Sequence, residues 1–208
     1  MIFKDRQEAA NKLYKIIKKD LSLQKKGLIV VSLLRGGVVL GAILAKKLSA
    51  LHLPLAVTKI PAPYNEELAI GALCFEITYL DKNTVHLLSL NSGEIREQIK
   101  LAERKFIQYC SHFNLNERLY NKVKGKTVIV TDDGIATGAT IKAALLFLRS
   151  KNPSKIILAV PVASSDTDLI GFDRPFILHR SPSFGAVSRF YRNFPQIEDE
   201  EVKKLLTQ

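Results

Sequence analysis

Two short segments of the chain carry residue types suited to phosphate chemistry. The longer is TDDGIATGAT, Thr131 to Thr140, which follows directly on the apolar run TVIV. Gly134, Ala136, Thr137, Gly138, Ala139 and Thr140 have side chains too small to keep a ligand away from the backbone, so their amides can cup a phosphate. A helix beginning at the end of this loop adds unpaired N–H groups and a positive dipole end, and the hydroxyls of Thr137 and Thr140 add donors. No lysine follows the second glycine, so this is not a Walker loop. Two adjacent acids, Asp132 and Asp133, precede it instead. Beside a phosphate they make sense as acceptors for neighbouring hydroxyls, or as holders of magnesium, which is what a ribose phosphate requires. The shorter segment is LLRGG, Leu33 to Gly37, in which Arg35 and two glycines end another apolar run.

The elements that must position these loops follow from the hydrophobic pattern. Asp5 and Glu8 have capping-box spacing, and Ala9, Leu13, Ile16 and Ile17 continue one apolar face, which predicts an opening helix. LIVVSL, residues 28 to 33, is apolar on both faces, as a central strand of a parallel sheet is. Gly36 to Leu51 has helical spacing, and LAVTKI from Leu55 reads as the next strand. The order recurs with KTVIVT from Lys126, the helix ATIKAALLFLRS and the strand KIILAVPVA from Lys155. Two strand, helix, strand units predict an α/β fold with an open, mostly parallel twisted sheet flanked by helices. Between them, GALCFEITYL and TVHLLSL, separated by DKN, read as a hairpin, followed by the charged helix EIREQIKLAERKFIQYC. The aromatic segment SPSFGAVSRFYRNF and an acidic helix, EDEEVKKLL, come last. In an open sheet of this kind ligands bind beyond the carboxyl ends of the strands, which is where both loops fall.

The 208 residues are 47% hydrophobic and 25% charged, enough for one good core, and the expectation is a single domain over 1–208. No apolar run is long enough to span a membrane, and the charged opening MIFKDRQEAANKL lacks a signal peptide's apolar region, so a cytoplasmic protein is expected. Cys74 and Cys110 lack metal-ligand or CxxC spacing and read as free thiols. The formal charge of +11 favours anionic partners, but the basic residues are scattered, densest in KKDLSLQKK, and read mainly as a solvated face.

VIVTDDGIATGAT, Val128 to Thr140, resembles the phosphoribosyl diphosphate signature of type I phosphoribosyltransferases. LLRGG resembles that family's diphosphate loop, VTKIPAPYNEELAIGA its mobile-loop region, and the late aromatics its base-covering hood. The resemblance, which also takes in uncharacterised bacterial members of similar layout, implies a transferase of nucleotide salvage. Such an enzyme moves ribose 5-phosphate from phosphoribosyl diphosphate, with Mg2+, to a nitrogenous base and releases diphosphate. Asp132 and Asp133 would then hold the ribose hydroxyls, and the metal directly or through those hydroxyls. Gly134 to Thr140 would surround the 5-phosphate, and Arg35, Gly36, Gly37 and Lys59 would face the diphosphate. A non-proline cis peptide is implied between Leu34 and Arg35. Residues 61–93 would form a mobile lid, with Pro61 and Pro63 stiffening its base and Gly71 as hinge. Residues 176–208 would form the hood, with Phe184 and Tyr191 stacking on the base, and the family also implies a homodimer.

Two departures bear on the acceptor. Ala136 stands where members acting on 6-oxopurines carry an acid, and Arg180 to Ser183 stand where those members place a lysine, so a hypoxanthine or guanine acceptor is disfavoured. Glu66 and Glu67 are acidic candidates within the lid for handling acceptor protons. Two other functions fit parts of the pattern. One is a non-catalytic phosphoribosyl diphosphate sensor that binds nucleic acid through its positive charge. The other is a different phosphate-ester enzyme on a flavodoxin-like sheet, against which the acid pair argues.

Overall fold

Strand β1 (Leu28–Leu33) is buried along its whole length, as its two-sided apolar sequence requires. In the computed structural model, which describes residues 1–20 and 27–206, it pairs in parallel with β2 (Leu51–Leu55) on one side and β6 (Thr127–Thr131) on the other. β7 (Lys155–Ser164) and β8 (Arg174–Ser181) complete a five-stranded parallel sheet in the order β2-β1-β6-β7-β8. The chain therefore winds outward from β1 to β2, then resumes at β6 and winds the other way. The reversal point lies between β1 and β6, the place where open sheets of this kind bind their ligands.

The chain divides into two compact units. The first comprises Met1–Leu55, Tyr120–Thr137 and Lys151–Gln208, and holds the parallel sheet. Helix α1 (Arg6–Ile17) begins at Asp5, whose carboxylate accepts the Glu8 N–H at 2.8 Å, while Glu8 reaches back to the N–H of Lys4 at 2.6 Å. With α2 (Gly37–Leu48) it covers one sheet face. Leu13, Ile17, Leu40 and Leu44 pack there against Val30, Ile129 and Ile157. Gly41 lets α2 sit close to the sheet, because a Cβ there would lie 2.5 Å from Ser32 Cβ and 2.4 Å from His52 Nε2. Under that contact the Ser32 hydroxyl and His52 Nε2 are hydrogen-bonded at 2.7 Å. The final helix of this unit, α6 (Asp199–Leu206), follows the aromatic segment.

The second unit comprises Ala56–Leu119 and Gly138–Ser150. An antiparallel sheet of β3 (Thr58–Ala62), β4 (Asn65–Cys74) and β5 (Ile77–Leu80) is joined there by α3 (Lys82–Leu87), α4 (Ser92–His112) and α5 (Ala139–Ser150). Phe75 stacks on the fully buried Phe147 of α5, with ring centroids 4.7 Å apart, and meets Phe106 of α4 edge-on.

Three expectations need correction. LAVTKI is not the second strand of the parallel sheet: that strand is LHLPL, and Thr58–Ala62 opens the antiparallel sheet. Pro54 fits within it because β2 is an edge with β1 as its sheet partner, where a proline that donates no N–H is tolerated. The hairpin does not turn at DKN. It turns at Phe75 and Glu76 within GALCFEITYL, Phe75 taking a φ of 50°, and TVHLLSL enters α3 because the Asp81 side chain caps Thr84 N–H at 2.8 Å. Gly71 is no hinge, since it is paired to Ile60 on one side and Leu80 on the other, and a Cβ there would lie 2.1 Å from the Tyr79 carbonyl oxygen. Part of the KKDLSLQKK stretch, residues 21–26, lies outside the described residues. No described helix is long and apolar enough to cross a membrane.

Candidate active site

The loops leaving β1 and β6 meet at the reversal point of the sheet. A Cβ on Gly37 would lie 3.0 Å from Asp132 Cα and 3.0 Å from the Thr131 carbonyl oxygen. A Cβ on Gly36 would lie 1.9 Å from Asp133 Oδ2. The two glycines are thus needed so that one loop can lie against the acids of the other. The Leu34–Arg35 peptide bond is cis, as the family resemblance implied. Arg35 extends from this loop, part-exposed, with its Nη1 3.4 Å from Asp199 Oδ1, a long pair of little energetic weight.

Beyond the acids the loop is pinned by Ile135, a buried residue whose N–H donates to the Val162 carbonyl at 3.0 Å and whose carbonyl accepts the Ser164 N–H at 2.9 Å. Gly134 is the close-approach point, since a Cβ would lie 2.7 Å from both Val162 and Val187. Its missing side chain therefore serves internal packing rather than ligand access. Ala136 and Thr137 are exposed, and the Thr167 hydroxyl donates to the Ala136 carbonyl at 3.3 Å. Gly138 has a φ of 87°, a conformation that favours glycine, and the chain then enters α5 with Ala139 buried and Thr140 half-buried.

The residue that the pattern reading missed is Arg6. Its side chain is 7% exposed, and its Nε and Nη2 donate to Asp133 Oδ2 at 3.1 and 3.0 Å. Its Nη1 donates to the Pro195 carbonyl at 2.8 Å, and its guanidinium lies 3.7 Å from the Phe194 ring centroid. A signal was present: Arg6 occupies the same helix face as Ala9, Ala10, Leu13 and Ile17, so a charge interrupts an otherwise apolar stripe. Burial pushes the Asp133 carboxyl up from its ordinary pKa, with Arg6 pulling the other way.

Tyr191 reaches the same place from the aromatic segment, its hydroxyl donating to the Asp133 carbonyl at 2.6 Å. Its ring lies 5.5 Å from Phe3 and 4.8 Å from Phe194, and Phe184 lies 5.0 Å from Phe190. Both rings are buried in a small cluster with Val162 and Ala9, so they pack this segment onto the sheet. Lys59 is exposed on β3, in the second unit. Glu66 is exposed at the start of β4.

The described residues contain no group of three or more His, Cys, Asp or Glu placed to hold a metal. A guanidinium already occupies one oxygen of Asp133, which disfavours direct binding of a divalent cation there. The acid pair fits a metal reached through a substrate's hydroxyls better than one held by two carboxylates.

An open parallel sheet with an acid pair and a glycine loop at its reversal point defines a doubly wound α/β protein. A family model described as a phosphoribosyl transferase domain matches residues 3–169, and the chain belongs to that family. Two Mycobacterium tuberculosis proteins, named "Putative phosphoribosyl transferase MT0597" and "Putative phosphoribosyl transferase Rv0571c", are each 33% identical across 99% of the chain. The chain spans about half the length of these relatives, 46% in each case. Among solved structures, TT1426 from Thermus thermophilus is 27% identical with a TM-score of 0.74, covering 99% of this chain and 98% of its own. A hypoxanthine phosphoribosyltransferase from Staphylococcus aureus shares the fold at 13% identity and a TM-score of 0.51, over 86% of this chain and 73% of its own.

Proposed function

We propose that this chain transfers ribose 5-phosphate from phosphoribosyl diphosphate to a nitrogenous base. The observation that carries the reading is the packing of Gly36 and Gly37 against Asp132 and Asp133 at the reversal point of the sheet. This packing sets a loop suited to a leaving diphosphate beside acids suited to ribose hydroxyls.

In the reaction, the bond from ribose C1 to the diphosphate oxygen breaks as a bond from C1 to the acceptor nitrogen forms, and positive charge builds on the sugar. The protein's work is orientation and electrostatics. Asp132 and Asp133 accept hydrogen bonds from the ribose hydroxyls. The loop from Gly134 to Thr140 supplies amides and hydroxyls to the 5-phosphate, and Arg35 with the amides of Gly36 and Gly37 meets the diphosphate. Lys59 is assigned to the same leaving group. Magnesium, arriving on the substrate, would neutralise charge on the departing diphosphate. Water has to be excluded from the activated sugar, a task assigned here to residues 61–93.

The test is a titration of phosphoribosyl diphosphate with magnesium into the wild type and into Asp132→Asn/Asp133→Asn, followed by a screen of bases for diphosphate release. The expected result is binding that the double substitution abolishes and one class of base that releases diphosphate. Binding without turnover by any base would favour a sensor of the same ligand. Absence of binding to the wild type would refute both readings.

A further inference from the structure

We infer that Arg6 is a positioning residue for the ribose-facing acid Asp133, an inference that rests on the proposed function. Arg6 sits against one carboxylate of the adjacent pair Asp132 and Asp133 and fixes the direction of that carboxylate. Its two hydrogen bonds, at 3.1 and 3.0 Å, both go to Oδ2 of Asp133, so neither engages Oδ1. The guanidinium is itself held from two further directions, by the Pro195 carbonyl at 2.8 Å and the Phe194 ring at 3.7 Å. The Asp133 backbone is fixed as well, by the Tyr191 hydroxyl on its carbonyl and by its own N–H, which donates to Asp132 Oδ1 at 2.8 Å.

Stability alone is a poor account of such an arrangement. A buried ion pair is commonly no more stabilising than apolar side chains of the same volume. An arginine braced on three sides and aimed at one carboxylate oxygen suits a site in which a carboxylate must hold a fixed direction.

The test compares three ligands by calorimetry: magnesium phosphoribosyl diphosphate, ribose 5-phosphate, and inorganic phosphate, which lacks the hydroxyls. Arg6→Gln should weaken both sugar ligands tenfold or more while changing inorganic phosphate less than twofold. Arg6→Lys, which keeps the charge but loses the paired geometry, should recover part of the loss. In an Asp133→Asn background, Arg6→Gln should add no further loss. Equal weakening of all three ligands, or full additivity with Asp133→Asn, would overturn the inference. If Arg6→Gln does not melt cooperatively, the same ligand ratios in Arg6→Lys decide: a sugar-selective loss supports the brace and an unselective one removes it. Wild-type binding of phosphoribosyl diphosphate with unchanged affinity in Arg6→Gln removes the brace alone. Failure of the wild type to bind removes the underlying reading and the brace with it.

Discussion

Gly36→Ala puts the packing of the two loops to a direct test. The new Cβ would lie 1.9 Å from Asp133 Oδ2 and 2.8 Å from its Cγ, with Arg6 Nη2 at 3.3 Å. Ordinary contact begins near 3.4 Å, so the carboxylate has to retreat by about 1.5 Å. Bonds of 3.0 and 3.1 Å to Arg6 cannot both survive that movement. Overpacking typically costs about 1–3 kcal/mol, and losing one partner of a buried ion pair about 3–5 kcal/mol. The pair here is strained rather than deleted, so a total near 3 kcal/mol is expected from these ranges. For a chain of this size that corresponds to a fall in Tm of roughly 6–12 °C, measurable by thermal or urea unfolding. The cost should nearly vanish in an Asp133→Ala background, where the clashing atoms are gone. A Gly36→Ala protein within about 0.5 kcal/mol of wild type, the usual range for substitutions that touch nothing important, would refute the reasoning. So would an equal cost in both backgrounds.

Two other substitutions probe the frame around the site. Burial lowers the His52 pKa to about 4, below its ordinary 6.5, so the folded state keeps the imidazole neutral while the unfolded state takes up a proton as pH falls. Its stabilising contribution is therefore full above pH 6.5 and declines towards pH 4, by roughly 3 kcal/mol, a slope that His52→Gln should remove from urea midpoints compared across that window. Identical slopes in the two proteins would refute this. Tyr120, fully buried, donates its hydroxyl to the Pro54 carbonyl at 2.5 Å, so Tyr120→Phe should cost about 1–2 kcal/mol in equilibrium unfolding without altering ligand binding.

The parts that pattern reading located are those whose own residues dictate their state. β1, β6 and α5 fall where LIVVSL, KTVIVT and ATIKAALLFLRS placed them, because a strand buried on both faces and a helix with one apolar face leave few alternatives. The acid pair and both loops were legible for a related reason, since charge and glycine have no ordinary place at the end of a buried strand. β2 was hidden because its neighbours decide it: His52 is acceptable there because Ser32 pairs with it, and Pro54 because it lies on an edge. The hairpin was misplaced because Phe75 adopts a turn conformation that a bulky aromatic rarely takes, held by Phe106 and Phe147 from distant helices. Arg6 was visible only as an anomaly. Its partner lies 127 residues away, and no local pattern encodes that pairing.

The bracing of Asp133 also orders events during synthesis. All five strands of the parallel sheet are present once Ser181 has left the ribosome. Arg6, however, is completed by Phe194 and Pro195, and the Phe3 N–H finds its acceptor only at Phe190, 2.7 Å away. A nascent chain that can already form its scaffold therefore still lacks a finished site, with a buried guanidinium short of its ring and its second acceptor. The bracing of Asp133 is completed later than the sheet, by a segment that contributes no strand to that sheet.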